Sequence, residues 1–260
     1  MKIFETHAHY DDESFNEDRE RLFAEMLGDS GIIDVIVNIG ASLKGCKDSL
    51  AFAAKYDKVY AAIGIHPSDV EALTASDMEW LSENAVNNPK VVAIGEIGLD
   101  YHYENPTKDI QKKWFIEQIA LAKKVKKPII VHSRESCQDT IDIMKQENAK
   151  SVGGIVHCYS YTKETVKDFL DMGFYFGIGG VITFKNAKKL VEAVEYIPMD
   201  KLLLETDSPY LAPEPYRGKR NDSTNIPFIA EKIAQIKGIS TEQVIDKTNE
   251  NARKILNLVK

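Results

Sequence analysis

The chain has 260 residues, 43% apolar and 28% charged, with a formal net charge of −7, a length that suits one large domain or two small ones and that α/β barrels of about 250 residues fill as one. This balance excludes a low-complexity chain, and the acidic charge argues against a broad basic surface for nucleic acid, so a phosphate-bearing partner would be held by local positive charge such as bound cations. The longest apolar runs fall far short of the roughly 20 residues of a membrane span, and a cleaved signal would have to fit ahead of His7, so a cytoplasmic protein is expected.

The chain opens on a short apolar run ending in Thr6-His7-Ala8-His9. In a strand, residues i and i+2 share a face, so His7 and His9 aim two imidazoles at one point. Residues 13–27 place Phe15, Leu22, Phe23 and Met26 at helical spacing, and Gly28 ends the pattern. Strands over 33–39 and 59–65 bracket a helix over 43–56. A helix over 77–86 leads to a strand from Val91 that closes with Gly95-Glu96-Ile97-Gly98. Helix 108–124, strand 129–132, helix 135–147 and strand 154–157 follow. Helix 163–172, strand 174–178, helix 187–196 and strand 202–207 complete eight units. From His9 to Asp207 each step takes roughly 28 residues, close to the minimum βαβ repeat. Short strands buried on both faces, alternating with amphipathic helices, indicate a (β/α)8 barrel in one domain over residues 1–260, with a doubly wound open sheet as the alternative. Two C-terminal helices finish the chain, the first stopped by Gly238 and the second opened by a Ser240/Gln243 capping box. They are expected on the outside of the barrel.

Metal-type residues fall at the ends of these strands: His7 and His9 on the first, Glu96 on the fourth, His132 on the fifth, His157 on the sixth and Asp207 on the eighth. In a barrel those ends converge on one mouth, where the active sites of this fold collect. One strand-end histidine is ordinarily structural, but six such residues on five strands are not. Four imidazoles and two carboxylates suit two divalent cations sharing a bridging carboxylate. Two ions would leave about two positive charges over Glu96 and Asp207, enough to draw phosphate oxygens. Cys46, Cys137 and Cys158 are odd in number and widely spaced, which matches reduced thiols.

The sequence resembles the TatD family of metal-dependent deoxyribonucleases, within the amidohydrolase-type barrels. The resemblance lies in Thr6-His7-Ala8-His9, Gly64-Ile65-His66-Pro67, Gly95-Glu96-Ile97-Gly98-Leu99-Asp100, His132-Ser133-Arg134, His157-Cys158-Tyr159-Ser160 and Glu205-Thr206-Asp207-Ser208-Pro209, and covers essentially the whole chain. It implies that His7, His9, Glu96 and Asp207 bind one metal, with Glu96 bridging to a second held by His132 and His157. Residues 215–221 resemble the family's loop after strand eight. The segment Asp222-Ser223-Thr224-Asn225-Ile226 before Pro227 departs from its usual pattern.

For a phosphodiester, two ions polarise phosphoryl oxygens and make hydroxide available near neutral pH, so neither Ser133 nor Cys158 is needed as a nucleophile. Glu96 and Asp207 are the expected catalytic carboxylates. Glu205 shares a face with Asp207 one step deeper, and either orients a ligand or satisfies buried hydrogen bonds. His66 either contacts a phosphate and assists proton transfer or only shapes the His66-Pro67 turn. Arg134 suits a bidentate phosphate clamp or a surface ion pair. Arg217, Lys219 and Arg220 form a phosphate-binding rim or a solvated charge run. Tyr101-His102-Tyr103 offers rings for an unpaired base or for packing over the rim. The leading expectation is a deoxyribonuclease acting on single-stranded or frayed DNA ends, because a barrel mouth admits a strand terminus more readily than a duplex. Ester or amide hydrolysis, as of an aminoacyl-tRNA or a lactone, would use the same site, and the intact ligand set opposes a non-enzymatic scaffold. Imidazoles suit zinc, while nuclease chemistry often uses magnesium or manganese. With no hydrophobic stripe to mark an interface, a monomer is favoured.

Overall fold

A computed structural model describes residues 2–258. Eight parallel strands run in the order β1 (Ile3–Ala8), β2 (Ile33–Gly40), β3 (Val59–Ile63), β4 (Val91–Asp100), β5 (Ile129–Arg134), β6 (Gly154–Val156), β7 (Tyr175–Ile178) and β8 (Leu202–Leu204), each paired with the next. The barrel closes between β8 and β1, where Thr6 Oγ1 donates to Leu204 O at 2.9 Å, Asp207 N to His7 O at 2.9 Å and His9 N to Ser208 O at 2.7 Å. Helices α1 (Arg19–Leu27), α2 (Leu43–Lys55), α3 (Ala75–Asn87), α4 (Lys108–Val125), α5 (Cys137–Gln146), α6 (Lys163–Asp171) and α7 (Lys188–Tyr196) alternate with the strands. The open doubly wound sheet is thereby excluded.

Each strand splits its side chains between two apolar regions because its residues alternate in direction. Ile36, Ile63, Ile94, Val131 and Val156 pack under the helices. Phe4, Val37, Ile39, Ala62, Ala93, Ile130, Ile155, Tyr175 and Leu203 form a second cluster to which every strand contributes, and this fills the barrel interior.

The last two helices, α8 (Ile226–Lys237) and α9 (Thr241–Ile255), differ in placement from the sequence expectation. Helix α9 closes the barrel floor rather than only flanking the wall: Ala252 and Leu256 join the interior cluster. Asn249 exchanges bonds with Phe4 N and Lys2 O, and Asn251 donates to Leu202 O and Met199 O. These backbone groups sit at strand beginnings, where no partner strand reaches them. Gly238 ends α8 at φ 66, and the Ser240/Gln243 capping box opens α9.

Several boundaries moved, with β3 ending at Ile63 and β8 at Leu204, and two changes alter the local structure. The helix expected over 13–27 is a 3-10 turn, Glu13–Phe15, followed by α1, because the Asp12 carboxylate accepts from Ser14 N and Phe15 turns inward against Tyr10, 4.8 Å between ring centroids. Strand β4 runs on to Asp100 instead of closing at Gly98, pairing Gly98 with His132 and Asp100 with Arg134. Gly98 makes this possible: its φ is 145°, and a Cβ there would lie 1.9 Å from His132 O.

Candidate metal centre at the barrel mouth

The six expected ligand residues converge, although not all sit at strand ends. Glu96 lies within β4 and His132 within β5, while His157 and Asp207 follow β6 and β8 by one and three residues. Between Ile94 and Ile97 β4 carries one more residue than β5, and this irregularity lies where Glu96 enters the mouth. Asp207 takes φ 57, just past the strand.

Glu96 joins two donor sets. Its Oε2 lies 3.4 Å from His7 Nε2 and 3.6 Å from His9 Nε2. Asp207 Oδ1 lies 3.7 Å and 3.4 Å from the same nitrogens, which are 3.2 Å apart. A tetrahedral ion with bonds of about 2.0–2.1 Å separates its ligands by about 3.3–3.5 Å, and the five separations above, 3.2 to 3.7 Å, lie close to that spacing. Its Oε1 lies 2.8 Å from His132 Nδ1 and 3.1 Å from His157 Nε2. Cation-like positions thus occur on both oxygens of one carboxylate.

The outward nitrogens of the rings are held as well. His9 Nδ1 meets Ile39 O at 3.0 Å, His157 Nδ1 meets Glu205 Oε1 at 3.2 Å, and His132 Nε2 meets Asp100 Oδ2 at 3.1 Å. Each acceptor calls for a proton on that nitrogen and leaves the facing one as a lone pair, the arrangement of metal-binding histidines. His7 Nδ1 and Glu205 Oε2 are buried polar atoms with no hydrogen-bond partner. Electrostatics agree with a site built for positive charge. Burial opposes ionisation of His9, but Asp207 and Glu96 outweigh it and push the ring up to about 9. The carboxylates likewise raise His132 and His157 against burial, and Glu96 stays well below its usual range because His157 and His7 outweigh burial. Without cations, protons on the rings neutralise these carboxylates. The residues therefore fit divalent metal ions.

Glu205 is buried, accepting from Cys158 N at 2.6 Å as well as facing His157. Space for it comes from Gly177, where a Cβ would meet Glu205 Oε2 at 1.9 Å. His66 sits at the mouth, its ring 4.3 Å from that of His132 and its Nε2 3.9 Å from Glu96 Oε1. Ser68 N–H donates to His66 Nδ1 at 3.1 Å, which makes Nδ1 an acceptor and assigns the proton to Nε2. Burial and His132 push it down to about 3, so the ring is neutral, and with Asp100 and His132 it also forms a group of donor atoms close enough together to hold an ion.

Arg134 is exposed at the end of β5, two residues beyond His132, with its guanidinium 5.7 Å from the Tyr103 ring. The basic cluster after β8 is dispersed. Arg220 pairs with Asp18 at 2.6 Å, Arg217 lies 4.3 Å over Phe184, and Lys219 lies 5.5 Å over Tyr216. Cation–aromatic packing and the Asp18 carboxylate take these groups, and none contacts the donor sets. Tyr101 donates to Asp139 at 2.6 Å and is a packing residue, whereas Tyr103 is exposed. The three cysteines are free thiols.

Three contributors escaped sequence reasoning. Asp100 supports His132, and the 96, 98, 100 alternation was the available signal. Glu5 lies opposite Ile36, ahead of a register irregularity in β1 between Glu5 and Ala8, and is fully buried, accepting from Thr206 N at 3.0 Å, Thr206 Oγ1 at 2.6 Å and Ser223 Oγ at 2.9 Å. Asn221 donates to Thr206 O at 3.0 Å and Tyr210 O at 2.8 Å, clamping the loop that follows Asp207. In the departing segment, Ser223 reaches Glu5 and Asn225 donates to Asn221 at 2.9 Å. Asp100 and Glu205 bring two further carboxyl groups against the histidines, beside His132 and His157.

A (β/α)8 barrel whose mouth gathers histidines and carboxylates around one shared glutamate defines a metal-dependent hydrolase. The family model described as TatD related DNase matches residues 4–257, and the chain belongs to that family. It is 42% identical to the uncharacterized metal-dependent hydrolase YabD of Bacillus subtilis, over 98% of this chain and 99% of that one. It is 34% identical to the uncharacterized metal-dependent hydrolase YcfH of Escherichia coli, over 99% and 97%. Among solved structures, YjjV, a TatD homologue from Escherichia coli K12, superposes with a TM-score of 0.91 at 27% identity, covering 98% of each chain. None of the described helices is long and apolar enough to cross a membrane.

Proposed function

We propose that this chain is a cytoplasmic, monomeric deoxyribonuclease, one barrel over residues 1–260, that hydrolyses phosphodiester bonds from single-stranded or frayed DNA ends. His7, His9, Glu96 and Asp207 would hold one divalent ion, and Glu96, His132 and His157 a second, as zinc, magnesium or manganese. The observation that carries the reading is Glu96, whose two oxygens each face a separate set of imidazoles. Two cations bound there supply charge neutralisation at the phosphoryl oxygens and a lowered pKa for water.

The chain's own groups do the rest. Asp207 is the more open carboxylate, 15% exposed against 4% for Glu96, so it meets the substrate, and its Oδ2 accepts the proton of the attacking water. His66 Nε2–H donates to a non-bridging phosphoryl oxygen, and Arg134 grips the neighbouring phosphate from the rim. Glu205 and Asp100 hold His157 and His132 in register. Ser133 Oγ is engaged by Thr140 and Tyr161, at 2.8 Å and 2.9 Å, and is not a nucleophile.

The test is cleavage of end-labelled single-stranded DNA, linear and circular, by metal-stripped protein resupplied with magnesium, manganese or zinc. A Glu96→Ala/Asp207→Ala double variant is the control. Metal-dependent ladders on the linear strand alone, lost in the variant, support the reading. Equal cutting of circles sinks the end preference. No DNA cleavage, with release of aminoacyl or lactone esters by the same protein, moves the activity to ester hydrolysis.

A further inference from the structure

We propose that Tyr210 is a nucleobase platform: its ring packs against the base adjacent to the phosphate held at the barrel mouth. This rests on the nuclease reading and names the feature of the substrate that the site would recognise beyond its phosphates.

Six large apolar side chains are exposed among the described residues, and four of them, Tyr103, Tyr210, Leu211 and Tyr216, lie on loops that follow β4 and β8 at the mouth end. Exposed apolar surface concentrated at one end of a molecule marks a contact surface rather than scattered leakage from the core. Tyr210 is the member beside the donor sets. Its ring centroid lies 6.3 Å from that of His9, inclined at 61°, and the residue is 54% exposed.

Its backbone is fastened at both ends to the segment carrying Asp207. Tyr210 N donates to Asp207 O at 2.8 Å, and Tyr210 O accepts from Asn221 Nδ2 at 2.8 Å. The hydroxyl reaches Asp12 Oδ2 at 3.1 Å, which fixes the tilt of the ring and leaves it uncovered. An aromatic face so held, one ring outside His9, stands where a strand with its phosphate at Asp207 and Glu96 carries its base, one sugar away. Stacking of this kind is tolerant of sequence, because every base has a π-face.

Kinetics on paired substrates test the proposal: a single-stranded oligonucleotide with all its bases, and the same strand made abasic at each of the three terminal nucleotides in turn. Wild-type protein should show a KM about tenfold higher on one abasic strand, equivalent to about 1.4 kcal/mol and within the range for base–aromatic stacking. Tyr210→Ala should raise KM to the same extent on the complete strand and converge with wild type on that abasic strand. Tyr210→Phe, which loses the Asp12 bond and keeps the ring, should recover most of the loss. Equal KM for wild type on complete and abasic strands overturns the proposal, and so does an equal penalty of Tyr210→Ala on both. Failure of the wild type to cut any DNA overturns the nuclease reading itself, and the platform with it.

Discussion

His132 stands between two carboxylates, its Nδ1 2.8 Å from Glu96 Oε1 and its Nε2 3.1 Å from Asp100 Oδ2. The second contact decides what the first can do. Asp100 accepts a hydrogen bond from Nε2–H, so once the ring is neutral the nitrogen facing Glu96 presents its lone pair to a cation. Asp100→Ala should weaken binding of the second metal about 10–100-fold, whereas Asp100→Asn, whose amide oxygen still accepts from Nε2, should lose less. Chelator competition, with zinc content per chain as the readout, measures both. Two ions retained with unchanged affinity in Asp100→Ala would remove Asp100 from this role.

Gly177 predicts a second outcome. A Cβ at this position would lie 1.9 Å from Glu205 Oε2, and Glu205 has no room to retreat because Oε1 is committed to Cys158 N and His157. Gly177→Ala should cost about 1–3 kcal/mol of stability by overpacking. It should also loosen metal binding at His157, although residue 177 touches no ligand. Urea denaturation with and without zinc separates the two effects.

His66 should behave as a hydrogen-bond donor and not as a ligand. His66→Ala is expected to lower kcat about 100-fold on the order of one lost oxyanion donor, while zinc content stays at the wild-type level. His66→Gln, which retains an N–H, should recover part of the loss. A drop in bound metal in His66→Ala would show that the ring coordinates an ion and that the proton assignment at Nε2 is wrong.

Asn221 tests the loop after β8. Its buried amide donates to two carbonyls and its Oδ1 accepts from Asp222 N and Asn225 Nδ2. Asn221→Ala strands those groups and should destabilise the chain by about 2–3 kcal/mol. Because Thr206 and Tyr210 flank Asp207, the variant should also show earlier amide hydrogen exchange over 206–211 than over β1. Uniform exchange across the barrel would deny Asn221 a local role.

The barrel and the six mouth residues were legible in the sequence because both follow from local periodicity. Alternation along a strand puts His7 and His9 on one face, and a repeat of roughly 28 residues brings Glu96, His132, His157 and Asp207 around to the same rim. Such rules depend only on neighbours in the chain. Asp100, by contrast, sits in a recognisable stretch, but its partner comes into view only when β4 continues through Gly98. Its value comes from His132, 32 residues away, at 3.1 Å.

The same reason explains the layout of the basic cluster. Arg217, Lys219 and Arg220 are adjacent in sequence, yet Phe184, Tyr216 and Asp18 draw them apart in space. It also explains why α9 was expected outside the barrel. Ala252 and Leu256 join the interior cluster only because the closure of β8 on β1 left a floor of backbone groups for Asn249 and Asn251 to cover. Periodicity along the chain determined which residues face the mouth. Contacts between residues far apart in the chain decided which nitrogen carries the proton, which charge is free and which surface is covered.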